Sequence, residues 1–234
     1  MAFLLMQIVG FLFLLICFPL FSGAQQVHAS IKKYPTRGFD VSAHSGSIQW
    51  EKASKGFHFA FIKATEGSWY LDPQFNRNWE KGKKTKLRMG AYHFFKFHIS
   101  GVKQAENFIE NVRLTNKDFP PVVDVEEWGN YYAKTLPTKS IKRELKAMIV
   151  RLKKHYGRNP IIYSNISTYN RIIKGDFKEN PIWIVAFTSQ PRLSDGRRWV
   201  IWQHSHIARI PGIPHLADLN VFNGSVAQMK AFGK

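Results

Sequence analysis

The chain has 234 residues, 44% of them hydrophobic and 15% aromatic, and its 34 Lys and Arg outnumber 16 Asp and Glu to give a formal net charge of +18 at pH 7. That length suits one moderate domain or a small barrel, and that charge draws a protein to polyanions such as nucleic acid, anionic lipid or anionic bacterial envelope polymers. The one cysteine, Cys17, lies in the N-terminal stretch, so without that stretch the chain has no disulfide, thiol nucleophile or Cys-based metal site.

Residues 1–24 carry no charge and are nearly all apolar. They read as a secretory signal peptide, with Ser22-Gly-Ala24 as the small-residue cleavage site, or as a retained membrane anchor, since the apolar run of about 20 residues is long enough to span a bilayer. Either way the protein is expected to be exported: secreted or periplasmic if the leader is cut, membrane-anchored through residues 1–24 if it is not. Residues 25–36 are polar and read as a linker. The single domain is expected over 37–234.

From Gly38 short apolar runs alternate with helical patterns. Gly38 to Ser42 is a first strand, Ile48 to Ser54 a short helix, and Phe57 to Lys63 a strong second strand. Asp72-Pro73 fits an N-cap followed by Pro at the first helical position, opening a helix towards Gly82. Leu87 to Phe95 is a third strand, and Ser100 is placed to cap a helix through Val112. A strand at Val122 to Val125 precedes the best helix, Thr138 to Tyr156. There Ile141, Leu145, Met148, Ile149 and Leu152 form one apolar stripe, stopped by Gly157 and Pro160. A fifth strand, Ile161 to Ser164, leads to a weak helix, 167–173. Three more strands are expected at 182–187, 199–204 and 218–222. Strand–helix units followed by strands imply a parallel sheet, closed or doubly wound.

Acidic and polar groups gather where these strands end: Asp40, Glu66, Tyr92, Asp124 with Glu126, Tyr163 and Gln203. In a barrel those ends meet at one mouth, where active sites lie. The stretch Pro120 to Trp128 is the centre of this pattern. Side chains alternate along a strand, so Asp124 and Glu126 share a face, with Cα atoms roughly 6–7 Å apart. Two carboxyls on one face are what glycoside hydrolysis requires, one protonated as acid and one ionised. A surface Asp-x-Glu with a capping duty is the plainer alternative. Trp128, Trp183 and Trp202 lie near strand ends and offer flat apolar faces for sugars.

Other chemistries lack their signatures. There is no Gly-x-Ser-x-Gly, no phosphate-binding Gly-x-x-x-x-Gly-Lys-Ser/Thr and no His-Glu-x-x-His; His204-Ser-His206 alone is a weak metal motif. No metal and no cofactor is expected.

The motifs Gly38-Phe-Asp-Val-Ser42, Ile48-Gln-Trp50, Phe59-Ala-Phe-Ile-Lys-Ala-Thr-Glu-Gly67, Gly90-Ala-Tyr-His-Phe-Phe95, Pro121-Val-Val-Asp-Val-Glu126, Ile162-Tyr-Ser164, Trp183-Ile184, Trp202-Gln203 and Asp218-Leu-Asn-Val-Phe-Asn-Gly224 stand in order along the chain. Together they resemble glycoside hydrolase family 25, the Chalaropsis-type lysozymes. The resemblance implies an α/β fold, an irregular TIM-like barrel of eight strands and about five helices, helix-poor in its last third. It implies cleavage of the β-1,4 bond between N-acetylmuramic acid and N-acetylglucosamine in peptidoglycan glycan strands. By the same match Glu126 is the general acid and Asp124 its partner, either attacking the sugar or orienting the substrate's 2-acetamido group. Asp40, Asp218, Tyr92, Tyr163, Gln203, Trp183 and Glu66 take substrate-binding or supporting places. Phe187 and His204 stand where family members commonly have Tyr. Phe187 lacks the hydroxyl, and His204 keeps a polar edge that can become charged near neutral pH, so both bear on substrate preference or pH profile. A monomer is expected. A non-catalytic wall- or glycan-binding protein on the same barrel is the alternative, and no motif for specific nucleic-acid recognition is present.

Overall fold

The strands are made by a strict alternation of what each residue packs against. Along Phe59-Ala-Phe-Ile-Lys, Phe59 and Phe61 meet one cluster of side chains, and Ala60 and Ile62 meet another. The first cluster fills the inside of a barrel; the second lies between the barrel and its helices. The computed structural model describes Val27 and residues 30–234, so the expected leader lies outside the described residues.

Among the described residues nine strands are present: β1 (Arg37–Val41), β2 (Phe59–Glu66), β3 (Tyr70–Leu71), β4 (Arg88–Phe94), β5 (Val122–Asp124), β6 (Ile161–Asn165), β7 (Ile182–Val185), β8 (Ile201–Ala208) and β9 (Ala217–Phe222). Eight of them close a barrel in the order β1-β2-β4-β5-β6-β7-β8-β9, and β3 is a two-residue strand folded back on β2. Between Trp50 and Ala231 the described residues form six helices: α1 (Trp50–Ala53), α2 (Phe75–Lys83), α3 (Gly101–Asn111), α4 (Thr138–Tyr156), α5 (Ile166–Thr168), which runs into a π turn (Tyr169–Ile173), and α6 (Val226–Ala231). The eight expected barrel strands and the helix-poor last third are present; the short C-terminal α6 makes one helix more than the expected five.

The sheet is not wholly parallel. β1, β2, β4, β5, β6, β7 and β8 run parallel to one another around the barrel, but β9 is antiparallel to both β8 and β1. Only a short loop separates β8 from β9, too short for the crossover that a parallel return needs. As a result the start of β9, not its end, lies at the barrel mouth.

Large rings pack the barrel interior because glycines stand beside them. Gly38 is the register partner of Phe59, and Gly90 that of Phe61. A Cβ on either glycine would come within 2.3 and 2.2 Å of the neighbouring ring. The bottom is closed by α6. Arg88, buried, lies 4.3 Å from the Phe119 ring centroid and donates to the carbonyls of Met229, Asp118 and Phe232.

The outer layer rests mainly on α4, whose stripe Ile141, Leu145, Met148, Ile149 and Leu152 is wholly buried. Each such side chain contributes about 1.5–3 kcal/mol by leaving water. Gly157, left-handed at φ 69°, ends the helix. Ser100 does not cap α3. Its place is taken by Glu144 of α4, whose Oε2 accepts the Gly101 N–H at 3.0 Å. Asp72 binds the Gln74 and Ala43 N–H groups, so it ties the β3–α2 turn to the loop after β1, and α2 starts only at Phe75. The stretch 25–36, read as a linker, is packed in its described part. Val27 is buried, Tyr34 meets the Trp199 and Trp202 rings edge-on, and Thr36 donates to the Gly224 carbonyl.

Candidate active site

Inward-facing positions at the mouth carry the polar residues. Asp40 of β1 lies directly opposite Asp218 of β9, and Tyr92 of β4 is beside Lys63 of β2. Asp124 ends β5 between Phe94 of β4 and Tyr163 of β6. A cavity of about 360 Å³ opens over them, lined by Asp40, Tyr92, Asp124, Glu126, Tyr163 and Asp218 among others.

β5 ends at Asp124, one residue before the expected Val125, and Glu126 lies just past it, lining the same cavity as Asp124. The backbone between them stays tied to β6: the Val125 N–H donates to the Tyr163 carbonyl at 2.9 Å, and Ser164 Oγ donates to the Val125 carbonyl at 2.8 Å. Val125 itself is buried. The following turn is held by Asn130, whose side-chain amide donates to the Glu126 and Phe95 carbonyls while its oxygen accepts the Phe97 N–H.

Beneath the acids a hydrogen-bonded chain crosses the barrel. Tyr163 donates to Gln203 Oε1 at 3.0 Å, and Gln203 Nε2 donates to Asp40 Oδ1 at 2.9 Å. Asn220 Nδ2 donates to the same oxygen at 2.6 Å, and Trp183 Nε1 donates to Asn220 Oδ1 at 2.8 Å. Trp183 therefore forms the cavity floor, wedged between Phe61 and Tyr163, rather than a free sugar platform. Trp202 is wholly buried with its Nε1 on the Ala186 carbonyl, so the expectation that it stacks on sugar fails. Trp128 is 79% exposed at the cavity rim and keeps its ring free.

Burial dominates the electrostatics. It raises the Glu126 carboxyl to about 7, with the charge of Asp218 adding to the effect and Lys63 opposing it. Asp124 is raised well above the usual Asp range by burial and then by Glu126. Burial and the facing Asp218 raise Asp40, and burial raises Asp218. Burial also pushes up Tyr92 and Tyr163, which remain hydroxyls.

Glu66 is not free to meet substrate as a lone acid. An irregularity between Lys63 and Thr65 shifts the alternation of β2, so Glu66 reaches the mouth on the same side as Lys63. It binds Lys63 Nζ at 2.7 Å and Lys96 Nζ at 3.0 Å, and both ammonium groups lie 5.2 Å from the Phe94 ring centroid. Lys96 also donates to the Gly129 carbonyl. Gly129 has φ 74°, and a Cβ there would press the Phe94 ring at 2.9 Å. Lys63, Lys96 and Asn220 are absent from the expected site. Lys63 and Asn220 had a signal, since each continues an inward-facing alternation, Phe59-Phe61-Lys63 and Asp218-Asn220-Phe222. Lys96 had none, because it lies on a loop.

Two histidines sit outside the cavity. His93 is buried, with Nδ1 at 2.7 Å from Thr65 Oγ1 and Nε2 at 3.1 Å from Gln104 Oε1. Gln104 gives its amide N–H groups to the Lys96 and Ile99 carbonyls, which assigns Oε1 as acceptor and His93 Nε2 as the protonated nitrogen. His204 is pushed down to about 4, chiefly by burial, so it is uncharged near neutral pH, contrary to the expectation above. Phe187 is partly exposed and its ring lies tilted at 50° against His206, with centroids 4.4 Å apart. Among the described residues no group of His, Cys, Asp and Glu is arranged to hold a metal ion.

A family model described as glycosyl hydrolases family 25 matches residues 39–213. The chain is 37% identical to an uncharacterized protein of Escherichia coli K12, YegX, over 92% of this chain and 78% of that one. It is 32% identical to lysozyme M1 of Streptomyces globisporus, over 83% of this chain and 70% of that one. A solved family 25 glycosyl hydrolase from Bacillus anthracis superposes with a TM-score of 0.82 at 39% identity, covering 86% of this chain and 95% of the other.

Proposed function

The chain belongs to glycosyl hydrolase family 25, and from that premise we propose that it is a lysozyme-type peptidoglycan hydrolase that cuts the β-1,4 bond between N-acetylmuramic acid and N-acetylglucosamine. The observation that carries this reading is a carboxyl raised to about 7, Glu126, sharing one sugar-sized cavity with Asp124. Glu126 donates its proton to the glycosidic oxygen as the bond breaks. Asp124, ionised, faces the positive charge that develops on the sugar ring. The Asp40–Gln203–Tyr163 chain fixes the floor beneath them. Trp128 offers its exposed ring to a sugar face at the rim. A silent binding protein would have no need for an acid held protonated in this way.

Mass spectrometry of the fragments released from purified peptidoglycan tests the reading. New reducing ends on N-acetylmuramic acid are expected. Reducing ends on N-acetylglucosamine, or wall binding without fragments, would defeat it.

The acid sets an upper pH limit. Glu126 is protonated below about 7 and loses its proton above it, so activity is expected to fall on the alkaline side of about pH 7. Burial is the first cause and the Asp218 charge the second. Asp218→Asn removes that charge, which makes Glu126 easier to ionise. The alkaline limb should then move to lower pH, by about one unit. A limb that stays in place would show that Asp218 does not act on the acid.

We also place the site of action outside the cell, on the strength of the apolar leader at 1–24, and take anionic envelope polymers as the partners of the basic surface. Among the described residues no helix is long and apolar enough to cross a membrane. Wall lysis is expected to weaken several-fold between roughly 0.05 and 0.5 M salt, as the screening length shrinks below the spacing of surface charges. Cleavage of short neutral oligosaccharides should change far less.

A further inference from the structure

The proposed reaction asks Asp124 to be ionised while its neighbour Glu126 is not. Asp124 is poorly placed for that. It is buried, and among the described residues no hydrogen bond reaches either of its carboxyl oxygens; Oδ1 is closed off from solvent and unpaired. A buried carboxylate without donors needs a counter-charge. The surrounding elements mostly supply the wrong sign: Asp40 on β1, Glu66 on β2, Glu126 after β5 and Asp218 on β9. The β4 and β6 neighbours contribute the hydroxyls of Tyr92 and Tyr163, both neutral.

Three side chains of basic type line the cavity: His44, Lys63 and Lys96. His44 is exposed on the turn after β1. Lys96 is committed to the Gly129 carbonyl and to Glu66. Lys63 alone rises from an inward-facing position of a barrel strand. Its side chain is only 15% exposed, and its ammonium is held at 2.7 Å by Glu66 and lies 5.2 Å from the centroid of Phe94. Phe94 is the register neighbour of Asp124 on β4.

We propose that Lys63 is a positioning residue for the reaction: its ammonium, clamped by Glu66 over Phe94, supplies the counter-charge that keeps Asp124 ionised beside a protonated Glu126. This rests on the acid and carboxylate roles given above. Glu66 thereby acts as the holder of a cation rather than as a third acid for the substrate. Lys63 opposes the upward shift of both Asp124 and Glu126. Removing it therefore raises both carboxyls together, whereas general damage to the site lowers the rate without moving either.

The test uses Lys63→Met, which keeps the length and apolar stem, and Lys63→Arg, which keeps the charge. In the pH profile of kcat/KM, both limbs of the Met variant should move to higher pH, by about one unit or more. At the wild-type acid midpoint its rate should drop about fivefold or more, and the Arg variant should restore the limbs to within a few tenths of a unit. A carboxyl-¹³C NMR titration of Asp124 gives a second readout that needs no turnover. Its midpoint should rise in Lys63→Met and return in Lys63→Arg. Unmoved limbs and an unmoved midpoint in a folded Met variant would overturn the proposal. A wild-type chain that releases no fragments would instead defeat the hydrolase reading, and the NMR midpoints would still decide what Lys63 does to Asp124.

Discussion

Glu126→Gln is expected to reduce clearing of purified cell walls by about a thousandfold or more while leaving the fold intact. An amide has the size of the carboxyl but no proton to give to a leaving oxygen, and general acid catalysis is worth about 10²–10⁴ in rate. A thousandfold corresponds to about 4 kcal/mol of transition-state stabilisation. The fold should tolerate the change. Among the described residues Glu126 makes no ion pair, and its backbone carbonyl, not its side chain, holds the Asn130 amide. Burial makes an ionised carboxyl there costly, so the Gln variant should unfold at the same temperature as the wild type or higher near pH 8. Turbidity of a wall suspension gives the rate, and circular dichroism melting gives the fold. Clearing within a few-fold of wild type would remove Glu126 from the acid role.

The second large effect falls on stability. Gly101, the first residue of α3, lies directly against the backbone of α4. A Cβ at this position would sit 1.8 Å from the Glu144 carbonyl oxygen and 2.9 Å from the Met148 nitrogen. Both obstacles are helix backbone and neither can rotate away. Gly101→Ala therefore has to push α3 and α4 apart, loosening the bond between the Gly101 N–H and Glu144 Oε2 and the packing of the α4 stripe. Overpacking of this kind costs about 1–3 kcal/mol, and the lost bond to a carboxylate about 1.5–3 more. Urea unfolding should show a loss of about 3 kcal/mol or more. A midpoint unchanged within error would mean that the helices part at no cost.

Much of the architecture was legible because barrel strands carry a period of two that survives in the residues themselves. Phe59, Phe61 and Lys63 face in; Ala60 and Ile62 face out. The acids were legible for the same reason, since strand ends in a parallel barrel share one mouth. Asp218 breaks that rule. It starts its strand, and it reaches the mouth only because β9 runs backwards, a direction that depends on loop length and sheet closure rather than on any side chain. Trp202 and His204 were misplaced because nearness to a strand end says nothing about which face a ring takes. Their neighbour Gln203 points inward to Asp40, so Trp202 points out into the helix layer, and His204 is kept uncharged by burial. Ser100 had the right residue type for a cap, but a carboxylate from another helix, 43 residues on, took the donor first.

The reversed strand β9 also makes its own pairing with β1 and β8 a condition for chemistry. Among the described residues Asp40 comes from the first strand in chain order, and the Asn220 amide that steadies it comes from the last, 180 residues later. A nascent or truncated product ending before Ala217 leaves β1 and β8 as two open edges, lacks Asp218 above the acid, and has no α6 to close the floor around Arg88. Joining such distant ends comes at a high loop-closure entropy, so this seam is a natural late step of folding. A wall-degrading activity built this way depends on β9 being in place.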